Sequence, residues 1–162
     1  METVVVKIQS TLENHVYDKL DCFDGLRAMV LATGCSWPRG VTKADEAGRA
    51  LASKSYSVGI KGGGVTEPTT FAPSGPSQLG IDVGVYIVAM CDGCHSMLLV
   101  RTGSGSWYLF DQFRNTLSDA GTLHTNTTID GAFMACVHQT WSYMLRAKGT
   151  KVKANSTLYK IA

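Results

Sequence analysis

Apolar positions follow two periods along this chain, one of three to four residues and one of two, and together they predict an α+β fold. Leu26, Met29 and Val30 recur at helical spacing behind Asp21, a natural cap, and the pattern stops at Gly34. A largely buried helix over residues 21–32 follows, with Cys22 in its first turn. Thr42 and Asp45, three residues on, form a capping-box-like start for a shorter helix that runs through Ser53. The longest helical stripe is Ile129, Phe133, Val137, Trp141 and Leu145, with Thr127 as cap, Asp130 three positions later and Gly149 as stop.

The β-rich runs are shorter. Val4, Val5, Val6 and Ile8 predict an N-terminal strand, and residues 83–90, 96–101 and 107–110 predict three more. A Gly/Ser turn at 102–106 joins the last two, so the middle of the chain reads as an antiparallel meander. Residues 59–84 are rich in Gly, Pro, Ser and Thr, including Gly62, Gly63, Gly64, Pro68, Pro73 and Pro76, and predict a long surface loop. The tail, 151–161, ends in an expected edge strand. Trp107, Tyr108 and Trp141 are expected to fill the core between hairpin and long helix.

Length and composition narrow the function classes. A chain of 162 residues is the size of one domain, and 44% apolar against 17% charged residues suffices for a core. A net charge of +2 without a Lys/Arg cluster argues against nucleic-acid binding. The N-terminal residues lack a basic stretch followed by an apolar one, and no apolar run reaches the roughly 18 residues of a membrane span. No membrane partner is therefore expected. Cys22, Cys35, Cys91, Cys94 and Cys136 are odd in number and irregularly spaced, which argues against a disulfide framework and for a reducing, cytoplasmic compartment.

Free thiols are then available for chemistry. A nucleophilic cysteine needs a lowered pKa, which a helix N-terminus and a nearby imidazole supply. Cys22 meets the first condition. For the second, His95 begins one strand and Asp111 ends the next, so a tight hairpin brings imidazole and carboxylate together. The Cys91-Asp92-Gly93-Cys94-His95 run lacks the further ligands of a structural zinc site, so no metal is expected and a turn presenting His95 is the reading. The same Cys-x-x-C pair lacks the βαβ surroundings of a redox motif, and Gly62 to Gly64 lack those of a phosphate loop. No cofactor is expected. His15, His124 and His138 read as structural or surface residues.

A cysteine opening a buried helix, then His95-Ser96-Met97-Leu98-Leu99-Val100-Arg101, a Gly/Ser turn and Trp107-Tyr108-Leu109-Phe110-Asp111, resembles the papain-like cysteine hydrolases. The order Cys, His, Asp and the sixteen-residue step from His95 to Asp111 resemble the bacterial effector peptidases of the YopT type and the leader peptidase of aphthoviruses. Residues 108–115 and 119–122 are also similar to the deubiquitinating domain of herpesvirus large tegument proteins. That family places its histidine two residues after the aspartate, where this chain has Phe113.

The resemblance implies a single papain-like α+β domain, with a cysteine-bearing helix on an antiparallel sheet that carries the histidine and aspartate. It implies Cys22 as nucleophile, His95 as base and acid, and Asp111 as the group orienting the imidazole. The Cys22 backbone amide and an upstream side chain, Tyr17 or Asn14, would form the oxyanion hole. It further implies a protein substrate, ubiquitin or a ubiquitin-like protein among the candidates, and a viral or effector origin. The alternatives are an inactive papain-like binding module and a deamidase or acyltransferase built on the same triad.

Overall fold

In the computed structural model, which describes residues 2–14, 22–61, 70–71, 75–90, 95–112, 122–143 and 155–162, three helices come first: α1 (Glu2–Asn14), α2 (Cys22–Ala32) and α3 (Ala44–Leu51). Strands β1 (Lys54–Lys61) and β2 (Thr70–Phe71), a 3₁₀ turn at Pro76–Gln78, and strands β3 (Gly84–Met90), β4 (His95–Arg101), β5 (Trp107–Asp111) and β6 (Thr122–Asn126) follow. Helix α4 (Ile129–Tyr143) and strand β7 (Asn155–Lys160) complete the order. The strands form one sheet, β2-β1-β7-β3-β4-β5-β6, and every pairing is antiparallel.

Helices cover both faces of this α+β sheet. Tyr86, Val88, Met90, Met97, Leu99, Trp107 and Leu109 face α4, where they meet Phe133, Cys136 and Val137. Val85, Ile87, Ala89, Leu98, Val100 and Phe110 face the other way, onto Val5, Ile8 and Leu12 of α1, Leu26, Met29 and Val30 of α2, and Ala44 and Ala47 of α3. Double coverage explains why β3 is buried at every position and reads as an unbroken apolar run. No helix among the described residues is long and apolar enough to cross a membrane.

Several expectations are corrected. The N-terminal run expected as a strand is helix α1: Val5, Ile8 and Leu12, spaced by three and four, are buried, while Val6 is 64% exposed. Burying each such side chain is worth about 1.5–3 kcal/mol, more than the few tenths by which β-branching disfavours a helix. Strand β7 is interior, bonded to β1 on one side and β3 on the other. Part of the expected long loop is strand, since Gly59 to Lys61 end β1 and Thr70–Phe71 pair back onto it. Residues 62–69 and 72–74 of that loop lie outside the described residues.

Helix starts shift as well. Lys43, with no side-chain cap bond, stands at the N-cap of α3 instead of Thr42, and the helix ends at Leu51. Thr128, not Thr127, caps α4: its hydroxyl accepts the Gly131 N–H at 3.0 Å. Tyr108 packs on the face away from α4, so Trp107 alone of the hairpin pair joins the α4 core. The Trp141 side chain and residues 144–150 lie outside the described part of the molecule.

Candidate active site

His95 and Asp111 meet because β4 and β5 are adjacent and their ends coincide. The register pairs Leu98 with Phe110, so one step further Asp111 lies level with Met97, diagonally across from His95 on the same face. The His95 Nε2 to Asp111 Oδ2 distance is 2.9 Å, and both side chains are wholly excluded from solvent. With the carboxylate accepting from Nε2–H, the ring proton is fixed there, and Nδ1 becomes the nitrogen that can take a proton. That is the tautomer control a nucleophile's partner needs.

A third side chain joins them. Gln139 of α4, 1% exposed, donates its Nε2–H to the same Asp111 Oδ2 at 2.9 Å. The sequence reading does not single it out, because a glutamine inside an amphipathic helix reads as solvent-facing by default. Its position in phase with Ala132, Cys136 and Thr140, all buried, is the signal that could have found it.

Cys22 opens α2, while the expected cap Asp21 lies outside the described residues, and the first N–H groups of that helix have no intrahelical acceptor. One turn on, Gly25 lies against Gln112, the residue after Asp111. A Cβ on Gly25 would come within 1.8 Å of Gln112 Oε1 and 2.6 Å of its Cβ, so only glycine admits this approach. Helix α2 therefore begins at the end of the sheet that holds His95 and Asp111. It packs on the opposite face, however: Gln112 points toward α2, whereas Asp111 points toward α4. The Cys22 side chain itself lies outside the described part of the molecule, as do the Asn14 side chain, Tyr17, Cys91 to Cys94 and Phe113.

Two other thiols are placed. Cys136 is fully buried on α4; burial first, and the nearby Asp111 carboxylate second, push its pKa strongly up. It is an inert packing thiol. Cys35 is half-buried, its sulfur 3.6 Å from the Ile161 carbonyl oxygen. His138 is on the exposed side of α4, in line with the surface role expected of it. Compared with protein-family models, curated proteins and solved structures, the chain matches none.

Proposed function

We propose that this chain is a papain-like thiol hydrolase that cleaves a peptide or isopeptide bond with Cys22, His95 and Asp111. The observation that carries the reading is the buried His95–Asp111 pair at the sheet end where α2, with Cys22 as its first residue, begins. His95 Nδ1 takes the proton from the Cys22 sulfur, and the thiolate attacks the substrate carbonyl carbon. The resulting oxyanion meets the N–H groups of the first turn of α2, with Tyr17 or Asn14 as the further donor. Collapse breaks the C–N bond as the imidazolium returns the proton to the leaving amine. Water then attacks the thioester, giving its proton to Nδ1, and the acid product departs as the thiol reforms.

The substrate in this reading is a protein, with ubiquitin or a ubiquitin-like conjugate the first to try, and the compartment is a reducing cytoplasm. An electrophilic ubiquitin or peptide probe should label the protein at Cys22, and Cys22→Ala and His95→Ala should each abolish labelling. Equal labelling of those variants overturns the proposal.

One observation favours a second reading, a binding module that keeps the fold without the chemistry. His95 and Asp111 are entirely shielded from solvent, on the side of the sheet away from α2. On that reading the pair ties β4, β5 and α4 together, partner binding is unchanged by Cys22→Ser, and no substrate is turned over.

A further inference from the structure

On the thiol-hydrolase reading above, we infer that Gln139 is a positioning residue: from α4 it holds the Asp111 carboxylate so that His95 keeps its proton on Nε2 and presents Nδ1 to the thiol. A carboxylate held by one donor can still turn about its Cβ–Cγ bond and trade one oxygen for the other. Here Oδ2 receives donors from two different elements, His95 Nε2 from β4 and Gln139 Nε2 from α4, each at 2.9 Å. Two directions fix the oxygen, and the oxygen fixes the ring.

The helix that brings the amide is itself firmly seated. Phe133, Cys136 and Val137 are buried against the sheet, and the Thr140 hydroxyl bonds back to the Cys136 carbonyl at 2.8 Å. A primary amide in such a place costs free energy unless it is bonded, so a leucine there would be the cheaper choice for packing alone. Cys136 of α4, with its thiol retained in the neutral form, is, beside His95, a titratable neighbour of the Asp111 carboxylate on this face.

The test is the His95 side chain itself, read by long-range proton–nitrogen spectra of histidine-labelled full-length protein across pH. The wild type should show one tautomer, protonated at Nε2. Gln139→Leu removes the donor at similar volume; it should give a mixture of tautomers, and Cys22 labelling by the peptide probe should slow about 10- to 100-fold. Gln139→Glu keeps the shape but sets a second carboxylate against the pair, and should raise the His95 pKa by about one unit or more. That variant decides the matter if the leucine protein does not fold. A His95 tautomer and titration like the wild type's in both variants, with only the melting temperature lowered, overturns the inference and leaves Gln139 a packing residue. If wild-type Cys22 reacts with no probe yet the His95 spectra change as described, the hydrolase reading falls while Gln139 still holds the pair.

Discussion

Asp111 stands between two buried donors, and its removal takes this charged acceptor from both. Asp111→Ala should therefore cost about 3–5 kcal/mol, as for other broken buried pairs, read as a lowered urea midpoint with the slope unchanged. Gly25 offers a separate check on how α2 meets the sheet. Gly25→Ala should destabilise by about 1–3 kcal/mol through overpacking against Gln112, and the penalty should shrink in a Gln112→Gly background. Without that coupling, the close approach of α2 to the end of β5 is wrong. The sequence made His95 and Asp111 legible as a pair because a hairpin of known turn fixes which strand ends meet. It left Gln112 and Gln139 silent, because a polar residue acquires meaning only once its face is known, and both glutamines are buried.

At the level of elements, the apolar stripes of α2 and α4 were readable and the cap of α4 less so. Thr127 and Thr128 are equivalent candidates on paper, and only the backbone path decides which hydroxyl meets a free N–H. Thr128→Ala should cost about 1 kcal/mol and Thr127→Ala within about 0.5 kcal/mol of nothing, in the same denaturation assay. Helix α4 also carries a titration signal. Because the Cys136 thiol is pushed up in the folded protein, the unfolded chain loses that proton first. Its contribution is fully present below the unfolded thiol pKa, about 8.5, and is lost as pH rises above it, by at most about 1.4 kcal/mol per pH unit. Cys136→Ala should flatten the fall in stability between about pH 8.5 and 10; an unchanged slope would mean the thiol is already ionised in the fold. The misread element, α1, shows where local preference fails: a valine run prefers extended backbone, but the surface left open on α2 and β5 accepts a three-four stripe.

For the molecule as a whole, the decisive step is the return of the last strand to the middle of the sheet. From the sequence, a short tail segment after a Gly-stopped helix reads as an edge addition, since nothing local says which strands it will separate. In the structure, Leu158 is fully buried among Tyr56, Val58, Tyr86 and Val88, and residues 156–160 pair with β1 and β3 at once. Without β7, β1 and β2 would have no sheet to join, and β3 would become a long, apolar, unpaired edge of the kind that aggregates. The two sides of the sheet can therefore close only after the far end of the chain is available, which makes folding depend on contacts of long sequence separation. A chain ending before Asn155 should lose its cooperative urea transition and precipitate, and a peptide of residues 155–162 supplied in excess should restore part of it by strand addition. Were β7 an edge strand, the shortened chain would keep a single transition at a lower midpoint, with its His95–Asp111 end intact.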